Sequence, residues 1–448
     1  MVFQKVAANF KKKILSSQLR INMLSGVAAT GTNVLLTIIS YPVYLHYLGY
    51  EKYGVWLVLS TILTFTQLSN LGIGSAVMKL VAEEHGKDDT KAIQNYTTTA
   101  IAILTISGLI AFVIILLFKV PIIGLFKLGA GNSEVALLLL PYMGALSVYV
   151  FMVQVFNATL SGLGRMDLAN YCDSLGRLIA LIVSISLLSS GYGIESMFLG
   201  NILSYIFIHV STLYLINHQV TLRIFTVSNL DYHSFKRLLH IGGGMFGSSL
   251  ISMLLGPFNK LIISRYIGVS AIPLYEIAFN SAMQLRGLIE SGFRAIAPEI
   301  SRLSGNMNSG SISRITQING KAVKIVWLFG APFFAVLLLF ISPALKLWLG
   351  ARYVDTLPLL VQIMLAGTFF SLLGVPSFHI LLGLGRTKQI FTGNVIQSCT
   401  NAAIVLAVYF LGFQLSVNII AFSVATGMVI AHLYLVWQKR LVVKGYIV

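Results

Sequence analysis

Long blocks of mainly apolar residues, each of 20 or more, alternate along the chain with short polar connections. About twelve occur, near 22–48, 54–78, 93–118, 135–160, 168–190, 194–216, 238–264, 272–297, 321–341, 357–382, 389–411 and 415–437. Each is long enough to cross about 30 Å of hydrocarbon as a helix. The pattern predicts an all-α membrane protein of about twelve transmembrane helices. The seventh and eighth blocks differ from the rest in carrying charges inside. The first block is long, has no small-residue cleavage site after it and is followed by further spans, so it reads as a span and not a removable leader, with Met1 as the mature start.

One short phrase occurs twice. Leu160-Ser161-Gly162-Leu163-Gly164-Arg165 recurs as Leu381-Leu382-Gly383-Leu384-Gly385-Arg386, 221 positions on in a chain of 448. At the same offset Glu134 falls on Asp355, Leu138 on Leu359, Met143 on Met364 and Gly191 on Gly412. The phrase reads as a cytoplasmic elbow between two spans. The matches spreading from it predict a duplicated half, a common way of building a transporter. The expected organisation is two pseudo-symmetric six-helix lobes: a first over 1–216 with spans one to six, a cytoplasmic linker over 217–237, and a second over 238–448 with spans seven to twelve.

Composition narrows the class. Hydrophobic residues make up 56% and charged residues only 10%, with a mean hydropathy of +0.85, whereas charge is about 25% in soluble domains. With the amino terminus inside, 21 of the 31 lysines and arginines fall on inner segments. That bias puts both termini in the cytoplasm. The net charge of +17 then follows mostly from topology signals and attraction to anionic membrane lipids, and no nucleic-acid partner is implied. Cys172 and Cys399 both lie in spans at non-equivalent positions, so no disulfide, metal site or cofactor is indicated. The longest loops are too short for an extramembrane catalytic domain, and no Gly-x4-Gly-Lys-Ser/Thr loop is present. The run Gly242-Gly243-Gly244-Met245-Phe246-Gly247 opens a span instead of following a strand. It reads as a loosened stretch of helix, helped by Pro257, and not as a phosphate loop.

Candidate chemistry lies in the charges inside the spans. An arginine at mid-bilayer costs about 2.5–3.5 kcal/mol, so it needs a partner, a wet cavity or a ligand. On the eighth span Glu276, Asn280, Arg286, Glu290 and Arg294 fall within an arc of about 120°, forming one polar stripe. Glu276 and Arg294 are about 27 Å apart along the axis and close to opposite interfaces; Arg286 and Glu290 are deeper. Arg177 is near mid-depth on the fifth span, with Asp173 one turn away. Two readings stand: an i,i+4 ion pair that only makes a buried arginine tolerable, or part of a cationic cavity lining. Lys260 reads as an interfacial lysine or as a further cation of that cavity. Phosphate or pyrophosphate suits guanidinium, whose planar donors engage two oxygens at once. Glu290 lies between two arginines and is a candidate to exchange H+ or Na+, with a structural bridge as the alternative. Gln67 and Asn70, in the polar run of the second span, are candidate cavity lining or interhelical hydrogen-bonding groups. Tyrosines near the spans, Tyr149 and Tyr205 among them, are candidate sugar-stacking or packing groups.

Tyr47-Leu48-Gly49-Tyr50-Glu51-Lys52-Tyr53-Gly54-Val55-Trp56, followed by Leu68-Ser69-Asn70-Leu71-Gly72-Ile73-Gly74-Ser75-Ala76, resembles bacterial oligosaccharide flippases. These form the polysaccharide transporter branch of the multidrug/oligosaccharidyl-lipid/polysaccharide (MOP) exporter superfamily. The first motif is echoed as Tyr266-Ile267-Gly268-Val269-Ser270-Ala271-Ile272-Pro273-Leu274-Tyr275, offset by 219. At Asn70 the chain departs from the family pattern, in which an acid often precedes Leu-Gly. The resemblance implies a flippase, not an enzyme, in which two lobes alternate about a cavity. The cargo would be an undecaprenyl-pyrophosphate-linked oligosaccharide for O-antigen or other surface polysaccharide, with a polymerase or export machinery as possible partners. A cation-coupled drug exporter of the same superfamily would call for an acidic surplus, which Arg177 and Arg286 set against Asp173 and Glu290 do not give. A membrane-embedded polymerase or glycosyltransferase would call for a long outer loop with catalytic residues.

Overall fold

The computed structural model describes residues 2–66, 72–220, 229–293, 296–304 and 308–444. All regular structure among them is helical. In chain order the helices are α1 (Val2–Thr66), α2 (Ile73–His85), α3 (Thr90–Phe126), α4 (Ala130–Gly162), α5 (Met166–Ser189), α6 (Glu195–Gln219), α7 (Tyr232–Tyr266), α8 (Ile272–Ser291), α9 (Ile296–Ser304), α10 (Ser309–Ile325), α11 (Ala331–Leu349), α12 (Leu357–Leu372), α13 (Val375–Gly383), α14 (Thr387–Phe410) and α15 (Val417–Lys444). They form two compact units. The first comprises Met1–Leu125 and Gly129–Gly247; the second comprises Phe126–Leu128 and Ser248–Val448.

The apolar blocks map onto these helices with instructive differences. Eight described helices are long and apolar enough to cross a membrane, nine if the bent pair α12 and α13 is one span, fewer than the about twelve expected. Two causes account for this. The first candidate, Arg20–Ile62, is one stretch of 43 residues, about 65 Å at 1.5 Å per residue and so twice the hydrocarbon thickness. It breaks at Gly49, where φ 67° and ψ 178° fall in a region essentially reserved for glycine. The tight bend takes the place of the expected loop between the first two spans. The other two, the seventh and eighth, are helical as α7 and α8 but are not among the eight; α8 carries Glu276, Arg286 and Glu290 within its 20 residues. The second block is also interrupted, since α1 ends at Thr66 and α2 begins at Ile73. Gly72 between them has φ 71°, and a Cβ there would collide with the Gly242 carbonyl. α7 runs unbroken through Gly242–Gly247 and Pro257, so the expected loosening is not expressed as a break.

The duplicated elbow is reproduced bond for bond. In the first unit the Gly164 and Arg165 amides donate to Ser161 O and Leu160 O at 3.0 and 3.2 Å; in the second, Gly385 and Arg386 donate to Leu382 O and Leu381 O at 3.0 and 2.9 Å. Gly164 and Gly385 have φ of 83° and 69°, the left-handed helix terminus that glycine closes without strain. Gly162 and Gly383 serve close approach instead. A Cβ on Gly162 would stand 2.8 Å from Met78 O of α2, and one on Gly383 would stand 2.5 Å from Ala297 O of α9. In each unit a short helix therefore packs backbone to backbone on the helix before the elbow, and the helix pair after it packs together, α5 on α6 and α14 on α15. Left-handed glycines recur at Gly49 and Gly268, Gly129 and Gly350, and Gly191 and Gly412, so the repeat extends through both units.

Buried polar groups are joined into chains. In the second unit Ser423 Oγ donates to Asn401 Oδ1 (2.6 Å), Asn401 Nδ2 to Asn259 Oδ1 (2.8 Å) and Asn259 Nδ2 to the Tyr275 hydroxyl (3.0 Å). This chain ties α15, α14, α7 and α8 together where water is absent. In the first unit Arg237 at the start of α7 donates to Tyr96 OH (2.7 Å) and pairs with Glu83 (3.0 Å). Hydrogen bonds from Lys87, and then Arg237, hold the exposed Glu83 carboxyl below its ordinary range.

Two stability outcomes follow from this packing. Gly162→Ala and Gly383→Ala should each cost about 1–3 kcal/mol by overpacking and lower the detergent melting temperature followed by circular dichroism. Gly131→Ala, where a Cβ meets open space, should be neutral or slightly stabilising. Asn401→Leu, which strands Asn259 Oδ1 and leaves Ser423 only its bond to Ile420 O, should cost about 1–2 kcal/mol in the same melt. A neutral Asn401→Leu would mean that the buried chain contributes no stability.

Candidate functional site

In the second unit the charged stripe of α8 separates into two pairs. Glu276 meets Lys260 of α7 at 2.9 Å and accepts a hydrogen bond from Asn280 Nδ2 at 3.0 Å. Lys260 is thus an interior ion-pair member, 13% exposed, and does not reach outward as an interfacial lysine would. One helical stretch away, Arg286 Nε lies 3.4 Å from Glu290 Oε2, the i,i+4 pairing set by helical spacing.

Two histidines that sequence reasoning missed complete the second pair. Arg286 Nη2 is 2.9 Å from His432 Nε2 on α15. A guanidinium can only donate, so Nε2 accepts, and the His432 Nδ1–H donates to Met428 O at 2.8 Å. The tautomer is fixed from both sides. His432 reaches this position because Gly374, between α12 and α13, lets the bent pair approach α15: a Cβ there would lie 2.6 Å from the His432 Cβ. His379 of α13 places Nε2 3.9 Å from Glu290 Oε1. Arg286 thus commits two of its five N–H donors, and among the described residues its Nη1 has no hydrogen-bond partner. Arg286 and Glu290 remain 17% and 27% exposed, so the cluster is sheltered but reachable.

The first unit is arranged differently. Asp173 does not form the i,i+4 pair with Arg177 within 4.0 Å; it accepts from Asn157 Nδ2 of α4 at 2.7 Å. An amide donor from a packed neighbouring helix takes the place of the flexible arginine. Arg177, the twelfth of 24 residues on α5, is exposed on its unit and has no carboxylate within ion-pairing distance among the described residues. Tyr149 OH lies 2.7 Å from His209 Nδ1, and that imidazole stacks on Phe156. Gln67, Asn70 and Arg294 lie outside the described residues.

The single-residue signals that would have found His379 and His432 are absent. Each is the single histidine of a mainly apolar stretch of helix, and the partners of His432 are 146 and four residues away. No group of three or more His, Cys, Asp or Glu among the described residues could hold a metal ion.

Residues 19–304 match the family model described as polysaccharide biosynthesis protein. A candidate O-antigen transporter of Shigella flexneri is 22% identical over 347 residues, covering 76% of this chain and 79% of that one. The succinoglycan biosynthesis transport protein ExoT of Rhizobium meliloti (strain 1021) is 25% identical over 259 residues, or 57% of this chain and 47% of the relative. Among solved structures, a multidrug-resistance MATE family transporter of the MOP superfamily superposes with a TM-score of 0.77 at 15% identity, over 92% of this chain and 94% of the other. The lipid II flippase MurJ gives 0.69 at 16% identity over 94% and 87%. These two likenesses are of fold. The family match covers well over half of the sequence: the chain belongs to the polysaccharide biosynthesis protein family, and it is a multi-pass membrane protein with the fold seen in transporters of the MOP superfamily.

Proposed function

We propose that the chain is a flippase carrying an undecaprenyl-pyrophosphate-linked oligosaccharide from the cytoplasmic to the outer leaflet of a bacterial inner membrane, for surface polysaccharide such as O-antigen. Both termini are cytoplasmic in this reading, and the two lobes alternate access to a polar, cationic interior. Arg177 carries the reading. A guanidinium halfway along a membrane helix, with no carboxylate within 4.0 Å among the described residues, needs water or an anion to offset its desolvation. A pyrophosphate supplies that anion, and its oxygens match the planar fork. Arg286 adds a second guanidinium with donors to spare. Lys260 and Arg294 extend the cationic set, while Asn280, Gln67 and Asn70 contribute neutral polar lining. The relatives named as transporters of O-antigen and succinoglycan support a polysaccharide cargo.

A cation exporter of the same superfamily is less well served by this chemistry. Glu276 and Glu290 each already face a cation, which leaves no acidic surplus. Coupling to H+ or Na+ falls to Glu290, which faces Arg286 on one oxygen and His379 on the other, with Asp173 and Glu276 as further candidates. A polysaccharide polymerase or export assembly is the downstream partner.

Arg177→Ala and Arg286→Ala should each reduce surface polysaccharide in a complemented deletion strain by tenfold or more, about 1.4 kcal/mol or above, with membrane levels on immunoblots unchanged. Arg→Lys at either position should restore only part of it. Lysine variants that export as well as the parent would remove bidentate phosphate recognition and leave a bare charge requirement. Glu290→Gln, which preserves an acceptor for Arg286, should weaken gradient-driven transport in reconstituted vesicles; an unaltered gradient dependence would take Glu290 out of coupling.

A further inference from the structure

The first unit contains a cleft of about 180 Å³ between α1, α4 and α6. Its polar and aromatic lining is Trp56, Ser60 and Thr64 from α1, Ser147 from α4, and Asn201 and Tyr205 from α6. Trp56, Ser60 and Thr64 are four residues apart and form one stripe of the helix. No charged residue lines the cleft.

The hydroxyl hydrogens of the serines and threonine in the lining are already spent. Ser60 donates to Trp56 O (2.9 Å), Thr64 to Ser60 O (3.1 Å) and Ser147 to Met143 O (3.1 Å), each one turn back on its own helix. Asn201 spends one amide hydrogen on Met197 O (2.7 Å). A hydroxyl has a single hydrogen, so these three side chains keep only acceptor lone pairs for an occupant, joined by Asn201 Oδ1. The Trp56 indole N–H, the Tyr205 hydroxyl and the second Asn201 amide hydrogen add donors, so an uncharged wall offering both acceptors and donors calls for an uncharged ligand that carries several hydroxyls. Trp56 and Tyr205 add aromatic faces of the kind on which apolar ring faces pack. In size, a cavity of about 150 Å³ holds a benzene ring, so the cleft admits one substituted six-membered ring and not a chain of them.

We infer that this cleft is a subsite for a single pyranose ring of the cargo, distinct in chemistry from the cationic groups that would hold the phosphates. The inference rests on the flippase reading and adds to it where the neutral part of the cargo is recognised.

Replacing Trp327, Trp348 and Trp437 by phenylalanine leaves Trp56 as the single remaining tryptophan of the chain's four, and its emission then reports on the cleft. The full-length protein in detergent is titrated with methyl glycosides of common hexoses, with N-acetylhexosamine glycosides, with cyclohexylmethanol as an apolar ring, and with sodium pyrophosphate. At least one glycoside should give a saturating change that weakens about fivefold in Asn201→Leu and in Ser147→Val, the equivalent of one lost hydrogen bond each. Ser60→Ala and Thr64→Val provide the same readout should either of those fail to fold. The inference is overturned if no glycoside saturates, if cyclohexylmethanol or pyrophosphate reproduces the change, or if the change persists in the variants. Saturable glycoside binding together with export indifferent to Arg177→Ala would keep the cleft and remove the head-group reading. Arginine-dependent export with no glycoside response would do the reverse.

Discussion

A guanidinium in hydrocarbon must be paired, hydrated or liganded, and the few charges inside the spans of this chain are arranged around that requirement. Lys260 and Glu276 satisfy it between α7 and α8. Arg286 satisfies it partly, with one carboxylate and one imidazole. Arg177 has no such partner among the described residues. The three cases form a series from fully matched to unmatched, and the unmatched end is where a ligand has most to offer. A matched pair resists an incoming phosphate, which would have to compete with a carboxylate that is already seated. For this reason the paired residues are better read as frame or coupling groups, and the less committed arginines as recognition groups.

The duplication conserves the frame and not the chemistry. Left-handed glycines recur in four pairs across the units, and the elbow repeats its hydrogen bonds to within a few tenths of an ångström. Yet at the offset of 221, Arg177 and Asp173 fall on Ser398 and Asn394, and at the offset of 219, Arg286 falls on Gln67. Trp56, which lines the first unit's cleft, falls on Tyr275, which is fully buried and hydrogen-bonded to Asn259. A backbone turn that only glycine can close tolerates no drift, whereas a polar side chain can be exchanged once its helix is held by other contacts. Asymmetric cargo recognition is then built on a symmetric scaffold.

The same distinction explains what could be read from the residues alone. Apolar blocks, the repeated elbow and the positive-φ glycines are local signals, so the helical membrane fold was legible. The bend at Gly49 was not, because a hydropathy window sees the flanking polar residues and cannot tell a loop from a tight kink. At the site, the Arg286–Glu290 pair was legible from helical spacing. Asp173 was misleading for the same reason: spacing offered Arg177, but Asn157 on a packed neighbour is nearer, and only tertiary structure reveals it. His432 reaches Arg286 across 146 residues and left no trace in sequence pattern. The cleft was half visible as a polar run on the second block; which of its hydroxyls are left as acceptors depends on which bond back to their own helix.

A carrier has to release what it binds, and this sets an upper limit on recognition that the site chemistry respects. A bare guanidinium on a pyrophosphate in a low-dielectric interior would hold it firmly, since such charge-assisted contacts are about twice as strong as neutral ones. Arg286 is moderated: Glu290 and His432 occupy two of its donors, so an anion gains only what those partners leave. They also give the arginine somewhere to return to when the anion departs, which lowers the cost of the empty state. Glu290, shared between Arg286 and His379, is placed so that a change in its charge alters how much of the guanidinium is available. On the flippase reading proposed above, coupling and recognition meet in one cluster, with an affinity for the anion that varies with the state of Glu290.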